Sequence, residues 1–169
     1  MDVQLLGDDL IRQVTEEARR SARRRKNYNF HKSPDDHAHR FLNVLLEGAY
    51  ITPHRHLVPP KSEMFLVLEG YAVLYRFEDD GRVSGRYLLG NGPLPERLPA
   101  GVEARPIWGV DLAPGVWHTV AAITPSAVCV ELKTGPWDPA TDKEFAAWAP
   151  RENSPEAAAY LEGLLRGAL

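Results

Sequence analysis

The stretch PHRHLVPPKSEMFLVLEG, residues 53–70, sets two histidines one residue apart, passes through a proline-rich bend and enters an apolar run at a glutamate. Successive side chains of a β-strand point to opposite faces, so His54 and His56 share one face and Arg55 takes the other. The bend allows the next strand to return alongside and to bring Glu63 towards the two imidazoles. This stretch therefore predicts a metal site at a strand end.

A third histidine follows much later in the chain. The segment APGVWHT, residues 113–119, places His118 just after a Pro-Gly turn, at the head of another apolar run. We predict that His54, His56, Glu63 and His118 bind one divalent transition metal ion. Imidazole and carboxylate ligands without a thiolate suit Zn, Fe, Mn or Ni, and the sequence does not distinguish among these metals.

The sequence around these residues predicts a mainly β fold. Short apolar runs bounded by Gly, Pro, Asp or Asn follow one another at roughly ten-residue spacing from Gly48 onwards, which is typical of an antiparallel sandwich or barrel. Helices are predicted on either side of the strands: one after Gly7, a short one from Asp35 or Asp36 to Gly48, and two near the C-terminus in ATDKEFAAWA (140–149) and SPEAAAYLEGLLR (154–166).

We divide the chain into three parts of one structural domain. Residues 1–47 form an N-terminal helical segment that packs on the barrel, residues 48–135 form the β-barrel, and residues 136–169 form a C-terminal helical extension. With 169 residues, 44% of them hydrophobic, the chain is long enough for one sizeable core.

Charge and composition bear on the expected partners and location. The formal net charge of −3 gives no general reason to expect binding to nucleic acid or to an anionic membrane. An acidic N-terminus without the features of a signal peptide, and the lack of a long apolar run, lead us to expect a cytoplasmic protein. The single cysteine, Cys129, lies in an apolar run and is interpreted as a buried small hydrophobe rather than a catalytic thiol.

A basic cluster follows the first predicted helix. In RRSARRRK, residues 19–26, cations at a helix C-terminus favour the helix dipole, and a solvated helix end is the simplest interpretation. A phosphate-binding role is the alternative.

The spacing of the metal-ligand candidates resembles the two-part signature of the cupins. In that pattern a glycine precedes H-x-H, a glutamate and a glycine follow, and a Pro-Gly turn leads to a later histidine; Gly48, His54, Glu63, Gly70 and His118 occupy these places. The resemblance implies a jelly-roll β-barrel with N-terminal and C-terminal helices around it, and four ligands that converge on one metal inside the barrel.

A closer resemblance within the cupin superfamily is to the WbuC family of cupin-fold metalloproteins. It is carried by RRKNYNFH (24–31), HRFLN (39–43), YITPHRH (50–56), KSEMFLVLEG (61–70) and GVWHTV (115–120), and it includes the six-residue gap before Glu63. Members of this family include proteins encoded among bacterial O-antigen genes, which implies a role in polysaccharide biosynthesis. The cupin resemblance also implies a homodimer.

Four residues are candidates for substrate binding. Tyr50 and Thr52 share the strand face of His54, Lys61 precedes Glu63 by two positions, and Arg40 belongs to the WbuC-like pattern. The alternatives are an ordinary core tyrosine, a strand threonine and a solvated lysine.

Further residues of the WbuC-like pattern are interpreted by position. Asn29, His31, Arg40 and Asn43 either cover the open end of the barrel or make structural hydrogen bonds. His37 and His39 are interpreted as surface residues rather than ligands.

Two classes of function remain open at this level. The first is a metal-dependent enzyme that acts on a small anionic or sugar-derived substrate, either as a sugar isomerase-like enzyme or as an Fe(II) oxygenase. The second is a binding or sensing module whose metal anchors an anionic small molecule without turnover. The sequence assigns no catalytic residue.

Overall fold

A computed structural model describes residues 3–169; Met1 and Asp2, which begin the predicted N-terminal segment, lie outside the described residues. The described part contains two α-helices and ten β-strands. Their bounds are α1 Asp8–Arg20, β1 Arg25–Asn29, β2 Ala38–Leu46, β3 His54–Arg55, β4 Glu63–Glu69, β5 Tyr71–Phe77, β6 Val83–Gly90, β7 Gly109–Leu112, β8 Trp117–Ala122, β9 Ser126–Thr134, β10 Glu144–Phe145 and α2 Ala157–Arg166.

The strands form two five-stranded antiparallel sheets. The first has the order β1-β2-β9-β4-β7 and the second the order β10-β3-β8-β5-β6. Apolar side chains of both sheets pack together between them, for example Phe65 and Cys129 of the first sheet with Leu74 and Val120 of the second. This is the double-sheet arrangement of a jelly roll.

The mainly β prediction is confirmed, with one difference in architecture. The cupin resemblance implies a barrel, whereas the strand pairing among residues 3–169 stays within each sheet and does not close. One isolated bridge, Leu89 with Ile107, lies outside the strand ladders. The molecule is therefore a sandwich of two sheets.

Two helices cover the outer faces of the sandwich. Helix α1 packs Val14 and Ala18 on β2 of the first sheet, and α2 packs Leu161 and Leu164 on the second sheet. Asp8 and Asp9 lie in the first turn of α1, where a negative charge favours the helix dipole, although no side chain caps this helix. Neither helix is long and apolar enough to cross a membrane.

The predicted helix between Asp35 or Asp36 and Gly48 is wrong, because residues 38–46 form strand β2. Every residue from Phe41 to Leu46 is buried. The inner face of β2 packs between the sheets and its outer face lies under α1, so apolar residues occupy both faces and give a false helical spacing.

The C-terminal part also differs from its prediction. Helix α2 confirms the helix predicted in 154–166, and Gly167 ends it in the left-handed conformation with φ 68°. The helix predicted in 140–149 is wrong, since this segment contains turns and the short strand β10, which pairs with β3. The first segment, 1–47, likewise contributes two strands, β1 and β2, besides its helix. The boundaries of the three parts themselves stay a prediction.

Candidate metal centre

Both sheets contribute to one cluster of histidines and a carboxylate. His54 lies on β3 and pairs across the second sheet with His118 on β8, while Glu63 begins β4 in the first sheet. His56 follows β3 directly, before the turn at residues 57–60 that leads back towards β4. The alternation of strand residues and the proline-rich bend therefore place these side chains as the sequence predicts.

The four side chains meet in the interior. His54, His56, Glu63 and His118 are only 4%, 3%, 2% and 2% exposed. One ligand atom from each lies within 4.8 Å of those of the other three. This largest separation between ligand atoms, 4.8 Å, is little more than twice the roughly 2.1 Å bond between a zinc ion and an imidazole nitrogen.

Backbone carbonyls fix the protonation of all three imidazoles. The Nδ1 of His54 donates to the Thr52 carbonyl at 3.0 Å, and the Nδ1 of His118 donates to the Val116 carbonyl at 3.0 Å. The Nδ1 of His56 donates to the carbonyl of Asp142. A carbonyl can only accept, so each neutral ring carries its proton on Nδ1 and leaves a lone pair on Nε2.

These Nε2 atoms fit a bound cation. The Nε2 atoms of His118 and His56 lie 3.0 Å and 3.3 Å from the Glu63 Oε2, so lone pairs face one another at short range. His54 Nε2 is buried with no hydrogen-bond partner. A cation among these atoms would turn mutual repulsion into ligation, and backbone bonds to the opposite ring nitrogen are typical of metal-binding histidines. The residues present therefore fit a divalent metal ion.

The electrostatic surroundings keep the ligands in their binding forms. Burial, aided by the charge of Lys143, holds the pKa of His54 well below its usual range, so this imidazole is neutral. Burial acts to raise the pKa of Glu63, but the adjoining His118 and His56 side chains outweigh it and hold that pKa well below its ordinary value. A neutral imidazole and an ionised carboxylate are the forms that bind metal.

The cluster opens into a cavity of about 560 Å³. Strand β1 contributes Arg25, Asn27 and Asn29 to its wall, and neighbouring β2 contributes Phe41 and Asn43. The C-terminal segment supplies a further wall, with Trp137, Asp142, Lys143, Phe145 and Glu152.

Residues of the basic cluster and of the WbuC-like pattern have mixed positions. Arg23 and Arg25 line the cavity, whereas α1 ends at Arg20 on an exposed surface. Asn29, His31 and Asn43 also line the cavity. The solvated-end interpretation therefore describes only the first part of segment 19–26.

The histidine at position 39 departs from its prediction. His37 is exposed as expected, but the prediction of a surface position for His39 is wrong. His39 is buried, stacks on His31 with ring centroids 4.0 Å apart, and lines the cavity. Neither His37 nor His39 joins the ligand cluster.

The four predicted substrate-binding residues lie outside the cavity wall. Tyr50 and Thr52 are buried and donate their hydroxyl hydrogens to the Pro150 carbonyl, at 2.8 Å and 3.2 Å. Lys61 is buried against Asp142, and Arg40 is exposed on β2. Through these contacts Tyr50, Thr52 and Lys61 hold the C-terminal segment in place. Direct contact of these three residues and Arg40 with a substrate stays a prediction.

Sequence reasoning missed four charged residues near the cluster, namely Glu131, Lys133, Asp142 and Lys143. Lys133 is the cross-strand partner of Glu63, and Glu131 is that of Phe65. The strand period of two, counted from buried Cys129, places Glu131 and Lys133 on the inner face, and this signal was available in the sequence. Burial and the charge of Glu63 raise the pKa of Glu131 well above its ordinary value.

Comparisons with known proteins agree with this architecture. A family model described as "Domain of unknown function (DUF6016)" matches residues 6–89. No curated protein matches the chain. The capsular polysaccharide assembling protein CapF from Staphylococcus aureus is similar in structure, with a TM-score of 0.53 at 21% sequence identity; the match covers 71% of this chain but only 29% of CapF.

One further solved structure has a related fold, and another gives a weaker match. Protein SO0799 from Shewanella oneidensis matches with a TM-score of 0.52 at 15% identity, over 83% of this chain and 86% of the other. A cupin 2 conserved barrel domain protein from Leptotrichia buccalis matches with a TM-score of 0.45 at 16% identity, over 66% of this chain and 41% of the other. Likenesses at such low identity concern the fold alone.

The fold and the site together define a class of protein. Two facing antiparallel sheets with a buried cluster of three histidines and one glutamate define a double-sheet β protein with a candidate metal site.

Proposed function

We propose that this protein is a metal-dependent enzyme that acts on a small anionic, sugar-derived substrate, within the WbuC family of cupin-fold metalloproteins. The observation that carries the proposal is the convergence of three imidazole Nε2 atoms and one carboxylate in a buried cluster, of which His54, Glu63 and His118 line a cavity. A bound divalent ion supplies Lewis acidity for a carbonyl or hydroxyl oxygen of a substrate.

The charge of the cavity wall supports an anionic substrate. Five cationic side chains line it, those of Arg23, Arg25, Lys32, Lys133 and Lys143. Four carboxyl side chains line it as well, those of Glu63, Glu131, Asp142 and Glu152. A divalent ion at the cluster would add to this positive excess, and a concave site with a net positive charge attracts anions.

The size and lining of the cavity support a sugar derivative. Its volume of about 560 Å³ lies within the roughly 300–1,000 Å³ typical of small-molecule sites. The amides of Asn27, Asn29 and Asn43 offer both donors and acceptors to hydroxyl groups, and Trp137 and Phe145 offer apolar ring faces. Arg25 stands at the start of the same strand as Asn27 and Asn29, on the same face, so an anionic group and hydroxyls can be bound together.

Two likenesses suggest surface polysaccharide biosynthesis as the setting. CapF is named as a capsular polysaccharide assembling protein, and the WbuC resemblance points to O-antigen genes. The chain spans less than a third of the length of CapF, so this setting is part of the proposal. We further expect a homodimer, which light scattering on the purified protein measures directly.

Calorimetry tests the substrate class. Purified protein is divided into a metal-loaded form and a form stripped with a chelator, and each is titrated with glucose 1-phosphate, glucuronate and, as the neutral control, glucose. We expect the two anions to bind the metal-loaded form more tightly than the stripped form, and glucose to bind weakly to both. Equal affinity in both forms, or a preference for neutral ligands, would contradict the proposal.

Turnover decides between an enzyme and a binding module. Sugar phosphates and sugar nucleotides incubated with metal-loaded protein are followed by NMR, with His54→Ala protein as the control. Conversion that depends on the metal supports the enzyme. Metal-dependent binding across the panel without any conversion would favour the non-catalytic module instead.

A further inference from the structure

A buried ion cluster lies behind His56. The Nζ atoms of Lys61 and Lys133 each donate to a different carboxylate oxygen of Asp142, both at 2.8 Å. Lys61 lies just before β4, Lys133 lies on β9, and Asp142 belongs to the segment that follows β9. All three side chains are buried, so water screens their charges little.

Asp142 also touches the metal centre directly. Its backbone carbonyl accepts the hydrogen bond from His56 Nδ1, which sets the orientation of this ring and leaves its Nε2 free to ligate. Asp142 thus holds a metal ligand through its backbone and two buried cations through its side chain. Burial acts to raise the pKa of Asp142, but Lys133 and Lys61 hold it below its ordinary value, so the carboxylate is ionised.

The segment around Asp142, residues 135–152, runs beside the strand that carries the histidines. Phe145 on β10 pairs with His54, and the amide of Ala146 donates to the Pro53 carbonyl at 2.9 Å. Further along, the Pro150 carbonyl accepts from Tyr50 and Thr52. With only two residues in β3, the position of His54 and His56 depends on this neighbour.

We propose that Asp142 is a positioning residue of the metal centre and that it couples metal binding to the docking of segment 135–152. The two lysines hold the carboxylate, the carboxylate holds the backbone carbonyl in place, and the carbonyl orients His56. Coupling of this kind is reciprocal, so a metal at the cluster stabilises the docked segment as much as the docked segment favours the metal. The inference rests on the metal centre of the proposed function.

Cobalt(II) is the probe, because its visible absorption reports the ligand set as well as the affinity. Asp142→Asn keeps the size of the side chain and removes the charge that binds the lysines. We expect this variant to bind Co²⁺ about ten- to a hundredfold more weakly, as removal of an outer-shell partner of a metal ligand typically does. We also expect altered visible bands, which a general loss of stability would not produce.

Glu144→Gln is the matched control. Glu144 lies two residues from Asp142 and forms an ion pair with Arg55, between His54 and His56, but the Glu144 side chain is 49% exposed. Its removal is expected to change Co²⁺ affinity by less than about threefold, the range of surface ion pairs, and to leave the spectrum unchanged.

Hydrogen exchange tests the coupling itself. In the wild-type protein, Co²⁺ is expected to slow amide exchange in segment 135–152, and in Asp142→Asn this effect is expected to shrink. Unchanged affinity and spectrum in Asp142→Asn, or no effect of Co²⁺ on the segment in the wild type, would overturn the proposal.

A milder variant covers the case in which Asp142→Asn does not fold. Lys61→Gln leaves the Asp142–Lys133 pair in place, and we expect a smaller but measurable loss of Co²⁺ affinity with the same spectral change. Wild-type affinity in Lys61→Gln would then overturn the positioning role. A wild-type protein that binds no Co²⁺ would refute the metal centre itself, a result distinct from either of these.

Discussion

The Nε2 of His118 lies 3.0 Å from the Oε2 of Glu63, although 55 positions separate the two residues in the chain. His118 belongs to the second sheet and Glu63 to the first, so their contact crosses the sandwich. Both atoms carry lone pairs, because His118 carries its ring proton on Nδ1 and donates it to the Val116 carbonyl. The contact is favourable when a cation lies between them, and a metal at this point would link the two sheets.

Removal of a histidine ligand should therefore abolish metal binding. We expect the purified wild-type protein to hold about one divalent ion per chain, and His54→Ala and His118→Ala each to lose it, as measured by elemental analysis. His37→Ala is the control, since His37 is exposed and lies outside the cluster. Full metal content in a His54→Ala, His118→Ala double variant would rule out this site.

Metal removal should also lower thermal stability. A ligand that binds the folded state alone stabilises it by about 2.7 kcal/mol at a hundred times its dissociation constant. We expect the midpoint of thermal unfolding to fall on chelation of the wild-type protein and to return on addition of the metal. His118→Ala should show the same midpoint with and without metal, and a midpoint that still responded would place the stabilising ion elsewhere.

Glu63→Gln should weaken metal binding without abolishing it. The amide keeps one oxygen donor but loses the negative charge that neutralises part of the charge of the cation. We expect the metal dissociation constant to rise more than about tenfold, by competition with a chelator of known affinity. Glu69→Gln, at the exposed end of the same strand, is the control, and equal constants for Glu63→Gln and wild type would remove Glu63 from the ligand set.

The ligands could be found from the sequence because their signal is local. His54 and His56 share a strand face by simple alternation, and the proline-rich bend after them sets the direction of the return towards Glu63. The position of His118 after a Pro-Gly turn completes the cupin-like pattern. The structure brings these four residues together without any change to the set.

The surroundings of the ligands depend on tertiary contacts that no local pattern contains. Strand β2 has helical spacing only because α1 covers its outer face. Asp142 and Lys143 lie in a segment with helical composition, and their place beside His56 and the cavity follows from its pairing with β3. Lys61 follows two prolines, a context typical of the surface. Its side chain is nevertheless buried and forms an ion pair with Asp142.

Cys129 should be inert to thiol reagents in the folded protein. It is fully buried, and burial raises the pKa of its thiol to about 12. The reactive thiolate is then scarce at neutral pH, and reagent access requires unfolding. We expect no colour with Ellman's reagent in native buffer and one thiol per chain in denaturant. Rapid reaction of the native protein would contradict the buried position.

Arg23→Gln should weaken anion binding if the basic rim of the cavity takes part in recognition. Arg23 lines the cavity, yet its side chain is 53% exposed and lies 4.0 Å from Glu152, so its loss should cost little stability. We expect the affinity of metal-loaded protein for glucose 1-phosphate to fall by about two- to fivefold, the range of one exposed charge pair. The dependence of that affinity on salt should weaken as well, because one screened attraction is gone.

The matched control comes from the same basic cluster. Arg20→Gln removes an equal charge at the exposed end of α1, outside the cavity wall. If the rim charge acts locally, Arg20→Gln should keep the wild-type affinity and salt dependence at physiological ionic strength, where screening extends over about 8 Å. Equal losses in the two variants would show instead that the anion responds only to total charge, and Arg23 would have no place in the site.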